Sequence, residues 1–269
     1  MMGNNQIFSG KTAWITGASS GIGEALVYAF ISRGASLILS SNDISGLERV
    51  KSACGDRSSD IILAPFDLSD TSDINSLVDR HLGVTGRIDY LLNIGGISQR
   101  ASVAETPLWL DRKIFEINYF GTIALTKAIL PYMIRQKSGH IAATSSISGR
   151  FGFPQRSAYS ASKQALHGFF ETLYLENKNN NIRTSVIIPG RVRTDISFHA
   201  LDREGKEHGK MDKGQDKGIT PAKAAEIIIR GIRRNKREIL VGGSELTMLY
   251  IRRLWPWLFF RIGDRIKST

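Results

Sequence analysis

Short apolar runs alternate with amphipathic stretches along most of the chain. Residues 12–16, 36–41, 60–65, 88–93, 140–145 and 183–188 are brief and rich in Ile, Val and Leu. Such runs suit strands covered on both faces, where side chains on either side meet core. Residues 21–32, 44–54, 71–83, 107–136 and 157–178 between them carry helical patterning, and a helix at 221–234 leads to a last strand at 238–241. Strand–helix alternation with right-handed crossovers predicts an α/β architecture, a single-domain Rossmann-type doubly wound parallel sheet with helices on both faces. No repeat, low-complexity linker or domain boundary interrupts it, so residues 1–269 read as one domain.

Two segments depart from the alternation. Residues 191–220 are polar, rich in Gly, Lys and Asp, and weakly periodic. They follow the last crossover strand at its C-terminal end, where open sheets bind ligands, which favours a lid over a substrate pocket rather than a surface insertion. The second lies within an apolar and basic end, 244–269, whose part from Leu246 to Ile262 reads LTMLYIRRLWPWLFFRI. Arg252, Arg253 and Pro256 interrupt it, which argues against a spanning helix. Large apolar residues interleaved with arginine, with Trp255 and Trp257 among them, suit an amphipathic element at a membrane interface through 246–263. Packing on the protein itself, as lid, pocket wall or subunit contact, is the other reading.

Composition narrows the classes. With 269 residues and 42% hydrophobic content, the chain can bury one large core. A single cysteine, Cys54, excludes an internal disulfide and argues against a cysteine-based metal site. The N-terminal Met-Met-Gly-Asn-Asn-Gln-Ile-Phe lacks a basic region and a long apolar run, so the expectation is a cytoplasmic protein without a secretory signal, peripheral at a membrane if 246–263 docks. The net charge of +11 is uneven: residues 191–269 hold 18 Lys/Arg against 10 Asp/Glu. No nucleic-acid motif accompanies that excess, so a membrane surface or an acidic substrate is the better reading, with no nucleic-acid partner.

Two motifs carry chemistry. Thr16-Gly17-Ala18-Ser19-Ser20-Gly21-Ile22-Gly23 follows the first strand and opens the first helix. Glycines there let the backbone approach a pyrophosphate, which the helix N-terminus favours. Tyr159 and Lys163, in Tyr-Ser-Ala-Ser-Lys, stand four residues apart on one helical face. An ammonium beside a phenol favours the phenolate, so this pair predicts a tyrosine able to exchange a proton with a carbonyl or alcohol oxygen. Thr144-Ser145-Ser146 precedes it at a strand end.

The Gly-x-x-x-Gly-x-Gly spacing, the Tyr-Ser-Ala-Ser-Lys motif and Pro189-Gly190, in this order, resemble the short-chain dehydrogenase/reductase family over nearly the whole chain. Within it the chain is most similar to the SDR family member 7 (hydroxysteroid-dehydrogenase-like) group, through Gly96-Ile97-Ser98, Asn118-Tyr119-Phe120-Gly121 and the Trp-Pro-Trp-Leu-Phe-Phe tail. The resemblance implies a catalytic set of Asn118, Ser146, Tyr159 and Lys163. In it, Tyr159 passes the proton, Ser146 orients the reacting oxygen, Lys163 lowers the Tyr159 pKa and holds the nicotinamide ribose, and Asn118 anchors a water-linked path to Lys163. It also implies a cofactor set of Gly17, Ser19, Ser20, Gly21, Ile22, Gly23, Ser41, Asn42, Asp67, Leu68, Asn93, Gly95, Tyr159, Lys163, Pro189, Gly190, Val192 and Thr194. Asp67 would contact the adenine, and Val192 and Thr194 the nicotinamide amide.

Ser41 stands where NAD-using relatives carry Asp, and its neutrality leaves room for a 2′-phosphate, so NADP(H) is expected over NAD(H) although the Arg of many NADP-using relatives is Asn42 here. The family's Asn-Asn-Ala-Gly is altered to Asn93-Ile94-Gly95-Gly96, which puts ribose contacts in question. The implied activity is hydride transfer between nicotinamide and a carbonyl or secondary alcohol of a lipophilic, steroid-, retinoid- or acyl-like compound. The alternative is a non-catalytic nucleotide-binding regulator or scaffold on the same fold. The resemblance further implies a homodimer or homotetramer joined through helices 107–136 and 157–178. His140 and His167 are expected in supporting or surface positions, and no metal is expected.

Overall fold

A computed structural model describes residues 6–263; the first five residues and the end of the apolar-basic segment, 264–269, lie outside the described residues. Seven strands form one parallel sheet in the order β3-β2-β1-β4-β5-β6-β7. The chain runs β1 (Thr12–Thr16), α1 (Gly21–Ile31), β2 (Ser36–Ser40), α2 (Ile44–Ser52), β3 (Ile61–Leu63), α3 (Ile74–Thr85) and β4 (Tyr90–Asn93). It continues through α4 (Leu108–Phe115), a π-helical turn (Glu116–Phe120), α5 (Gly121–Gln136), β5 (Gly139–Thr144), α6 (Ser157–Asn177) and β6 (Ile182–Pro189). It ends with α7 (Lys213–Asp216), α8 (Pro221–Arg233), β7 (Glu238–Val241), α9 (Thr247–Leu254) and α10 (Pro256–Gly263).

Both sheet faces are covered, which is why the strands show no polar alternation. Ala13 and Ile15 of β1 and Leu37 and Leu39 of β2 join the core under α1, α2 and α8. Trp14 and Ile38, one residue out of step, join the opposite core under α3, α5 and α6. Successive side chains on a strand point to opposite faces, so one continuous apolar run feeds two cores. Fully burying a side chain such as Ile38 or Phe170 contributes about 2 kcal/mol.

Three expectations need correction. The helix expected at 107–136 is two helices joined by the π turn at Glu116–Phe120. A π turn adds one residue to a helical turn, and it leaves Asn118 fully buried; periodicity averaged over thirty residues cannot register one added residue. The third strand shrinks to Ile61–Leu63, at the sheet edge. The helix expected from residue 71 begins at Ile74, because Asp70 Oδ1 accepts from the Ser72 backbone N–H and hydroxyl in a turn.

The order of strands reverses between β1 and β4, whose last residues Thr16 and Asn93 pair. Ligands in open α/β sheets bind outside the strand C-termini at such a reversal. A cavity of about 850 Å³ lies there, lined by the ends of β1, β2, β4, β5 and β6.

Candidate active site

The glycine turn forms the floor of the cavity. Gly17 has φ +62 and Gly21 φ +56, a left-handed backbone that glycine adopts without strain. A Cβ on Gly23 would stand 2.0 Å from the Gly17 carbonyl oxygen, and one on Gly17 would stand 2.7 Å from Gly95 Cα. No bulkier residue fits this cradle. Ser20 caps α1 without a side-chain hydrogen bond, so the first-turn N–H groups of Gly21, Ile22 and Gly23 have no side-chain cap where they meet the cavity. Such N–H groups at a helix N-terminus favour a phosphate. The residues present therefore fit a dinucleotide.

Beside the turn, Thr16 Oγ1 accepts from the N–H of Ile94 at 3.1 Å and of Gly95 at 3.2 Å. Thr16 thus ties β1 to the loop after β4, while the Ile94 side chain packs on the core. A Cβ on Gly95 would stand 2.7 Å from Leu68 Cδ1, so glycine suits a loop with Leu68 pressed on it. Asn93 donates to Thr126 Oγ1 at 3.2 Å, and its Oδ1 is buried without a partner among the described residues.

At the adenosine end, Ser19 Oγ and Ser41 Oγ stand 3.0 Å apart. Asp67 receives the backbone and side-chain hydrogens of Ser69 and the Asn42 amide at 3.5 Å. Burial pushes the Asp67 carboxyl up, but these donors outweigh it and hold it below the ordinary carboxylate range. Arg49, on α2 and absent from the sequence reading, donates to the Ser19 carbonyl at 2.8 Å while paired with Glu24.

Ser146, Tyr159 and Lys163 meet at the other end. Ser146 leaves β5 and caps the turn behind it, accepting from Ser148 N–H at 3.1 Å. Lys163, 3% exposed, donates from Nζ to the Thr144 carbonyl at 2.8 Å, and Nζ lies 6.0 Å from the Tyr159 ring centre. Asn118 Oδ1 accepts from Ile97 N–H at 2.8 Å, and its amide donates to the Ile97 carbonyl and to Ser162 Oγ. A Cβ on Gly96 would stand 2.7 Å from Asn118 Oδ1 and 3.1 Å from Lys163 Nζ, so all three converge.

Burial dominates the electrostatics of the tyrosine–lysine pair. Burial raises the Tyr159 phenol above its ordinary value; the Ser146 hydroxyl and the charges of Arg156 and Arg100 oppose it. Burial pushes the Lys163 ammonium down to about 8. Spacing places the two residues on one helical face, but the packing aims the ammonium at the Thr144 carbonyl instead of the phenol.

Pro189 and Gly190 end β6, with Val192 and Thr194 following along the cavity. Glu245, which sequence reading missed, holds this stretch: its Oε1 accepts from Arg191 N–H at 2.7 Å and Gly243 N–H at 3.0 Å. Only the fold brings Glu245 here, across 54 positions. Residues 191–220 are pinned to the body. Leu201 N–H donates to the Ser98 carbonyl, Arg100 N–H donates to the Leu201 carbonyl, and Asp212 pairs with Arg100 and Arg156. Arg191, Ile196, Asp212 and Gln215 line the cavity; Arg193 does not.

His140 and His167 hold supporting positions, and the pocket-wall reading of the tail is corrected. Ser145, His167 and His140 are structural and buried. His167 Nε2 meets Ser145 Oγ at 2.8 Å, His140 Nε2 meets Ser185 Oγ at 2.8 Å, and burial pushes both imidazoles down to about 4. No residue of 246–263 lines the cavity, so its tryptophans form no pocket wall. Pro256 divides this segment into α9 and α10. Phe259 packs on Phe151, next to the cavity residue Phe153, while Tyr250, Leu254, Trp255, Trp257 and Phe260 are 50–65% exposed. Among the described residues no helix is long and apolar enough to cross a membrane.

Comparison with known proteins agrees with this geometry. Residues 11–204 match the short chain dehydrogenase family model. The chain is 43% identical to a Drosophila melanogaster dehydrogenase/reductase SDR family protein 7-like over 94% of this chain and 79% of that one. It is 39% identical to the Mus musculus dehydrogenase/reductase SDR family member 7B over 92% of this chain and 78% of that one. Among solved structures, a Burkholderia phymatum short chain dehydrogenase/reductase in complex with NAD shares the fold at a TM-score of 0.81 and 24% identity, each chain covered to 97%. A glycine cradle at the β1–β4 reversal, a tyrosine–lysine helix facing it and these matches together place the chain in the short-chain dehydrogenase/reductase family of nicotinamide-dependent oxidoreductases acting on CH–OH and C=O groups.

Proposed function

We propose that the protein is an NADP(H)-dependent oxidoreductase acting on a carbonyl or secondary alcohol of a lipophilic compound. The observation that carries this reading is the convergence of Asn118, Ser146, Tyr159 and Lys163 at one end of a cavity whose other end is the glycine turn. When bound, the nicotinamide supplies or receives the hydride. Tyr159 exchanges the proton with the substrate oxygen, Ser146 orients that oxygen by hydrogen bonding, and Lys163 holds the ribose hydroxyls. Asn118, locked by Ile97 and Ser162, holds the backbone beside Lys163 in place. Residues 191–220 act as the substrate lid.

The preference for NADP(H) is supported at the end of β2. Ser41 brings no carboxylate, and the Asp43 carboxylate is engaged in capping α2, accepting from Gly46 N–H at 2.9 Å. Ser19 and Ser41 present hydroxyls, and the Asn42 amide adds a donor. Titration of the protein with NADPH and NADH, followed by intrinsic tryptophan fluorescence, is expected to give NADPH the tighter Kd by about tenfold, equal to about 1.4 kcal/mol. Clear preference for NADH would refute the reading of Ser41 and Asn42. A carbonyl and alcohol panel read at the nicotinamide absorbance then separates an enzyme from a regulator, which would bind cofactor and turn over none of the panel.

A second reading concerns α9 and α10. Exposed Trp255, Trp257, Leu254 and Phe260 stand among Arg252, Arg253 and Arg261, and Arg252 lies over the Phe259 and Phe260 rings. We read this face as a docking surface for an anionic membrane, which would make the protein peripheral to that membrane on its cytoplasmic side. The W257S/F260S double variant should lose most of its co-sedimentation with phosphatidylserine-containing vesicles. Unchanged partitioning would sink the idea, and a change in oligomeric state instead would assign the face to a second copy. Exposed Phe120 and Leu175, on the elements spanning 107–136 and 157–178, support a homodimer or homotetramer built there.

A further inference from the structure

Glu245 lies outside residues 11–204, the part of the chain that matches the family model. It is half-buried in a short 3₁₀ turn, Ser244–Leu246, between β7 and α9. Its Oε1 accepts from the N–H of Arg191 at 2.7 Å and of Gly243 at 3.0 Å. The same oxygen covers two glycines: a Cβ on Gly190 would stand 2.2 Å from it, and one on Gly242 2.4 Å. Here β6 and β7 end side by side, with Pro189 paired to Val241 and Gly190 N–H donating to the Val241 carbonyl at 2.8 Å. One carboxylate oxygen is thus seated on the backbone that leaves both strand ends.

The stretch it holds runs along the cavity. Arg191, Val192 and Thr194 line it, Val192 is buried, and a Cβ on Gly21 would stand 3.1 Å from Thr194 Cγ2, so the stretch lies against the glycine turn. The hydrogen bonds that follow stay inside 191–220. The Arg191 carbonyl accepts from Ile219 N–H at 3.0 Å, Arg193 N–H donates to the Ile219 carbonyl at 2.9 Å, and the Val192 carbonyl accepts from the Gln215 amide. These bonds tie the segment to itself, not to the neighbouring strand end. Glu245 supplies that tie from the β7–α9 turn. Capping its own turn would require Gly243 N–H alone; the bond to Arg191, 54 positions away, is the addition. A carboxylate accepting from a backbone N–H is about twice as strong as a neutral acceptor.

We propose that Glu245 is a positioning residue for the nicotinamide end of the cofactor, fixing Val192 and Thr194 through the Arg191 backbone. The proposal rests on the reading of Val192 and Thr194 as contacts of the nicotinamide amide. Glu245 itself does not line the cavity, so it acts through the stretch and not on the cofactor. Small displacements of positioning groups weaken binding and slow chemistry together. The effect is confined to one end of the site. Ser19, Ser41 and Asn42, at the adenosine end, share none of the hydrogen bonds that Glu245 makes.

The test is calorimetric titration of the full chain with NADPH and with 2′-phospho-ADP-ribose, which lacks the nicotinamide. E245A should weaken NADPH binding by about tenfold and leave 2′-phospho-ADP-ribose within about twofold. E245Q, whose amide oxygen still accepts, should bind both ligands within about threefold of wild type. A purely structural Glu245 would lower stability and leave the two ligands alike. Equal weakening of both, unchanged NADPH binding, or an E245Q no better than E245A overturns the proposal. NADH with ADP-ribose gives the same comparison if NADH proves the tighter cofactor. Hydrogen exchange over residues 190–194 tells the two ways of failing apart: it should speed up by about tenfold in E245A and not in E245Q. Unchanged exchange overturns the hold by Glu245. Faster exchange with unchanged NADPH affinity overturns the nicotinamide reading of Val192 and Thr194, and the proposal with it. If E245A lacks the wild-type circular dichroism, E245M, which keeps the bulk and removes the acceptor, replaces it with the same expected results.

Discussion

Replacing Tyr159 by Phe should lower kcat by about a thousandfold while leaving cofactor affinity within about twofold. The substitution removes one hydroxyl from a ring that is 8% exposed, so the packing of α6 against the sheet persists. What disappears is the phenol that α6 contributes to the cavity that Ser146 also lines. The measurement is steady-state reduction of any carbonyl compound that the wild type turns over, together with NADPH binding by fluorescence. Near-normal turnover in the variant would remove Tyr159 from the mechanism.

Replacing Lys163 by Met should abolish turnover and yet make the protein more stable near neutral pH. Lys163 is buried, and its pKa falls from 10.5 to about 8 on folding. The folded state therefore disfavours the ammonium by about 3 kcal/mol, a cost fully present below about pH 8. Between about pH 8 and pH 10.5 the unfolded chain still holds the proton that the folded chain has released, so wild-type stability rises with pH in that window. Methionine carries no such charge. Set against about 1 kcal/mol for the lost hydrogen bond to Thr144, the variant should be more stable by about 1–2 kcal/mol at about pH 7. The gap should shrink by about 2 kcal/mol by about pH 10. Urea denaturation at both pH values checks this, and a variant less stable than wild type by the same amount at both would defeat it. A destabilising group kept buried beside the cavity residue Gly96 is what an active site trades for its chemistry.

The site was legible to the extent that its parts are local. The Gly17–Gly23 turn combines a strand end, a tight turn and a helix start, all within eight residues, and each leaves a mark on residue type. Tyr159 and Lys163 lie one helical turn apart, so spacing alone puts them on one face. Direction was not legible. Lys163 points to the Thr144 carbonyl, 19 positions away, because β5 ends alongside α6. The tail from 246 to 263 shows the limit from the other side. Its greasy composition suggested a pocket wall, but which side chain turns inward is set by the partner, and here Phe151 admits Phe259 alone among the aromatic residues of α10.

By itself the sequence determined the alternation of strands and helices, the glycine turn and the tyrosine–lysine helix, because each is written in residues that touch within a turn or along a strand. Only the tertiary structure decided the π turn that buries Asn118, the hold of Glu245 on the stretch after β6, and the pairing of Asp212 with Arg100 and Arg156 across 112 and 56 positions. Those contacts depend on which elements the sheet order makes neighbours, and local patterning carries no record of a partner so far along the chain.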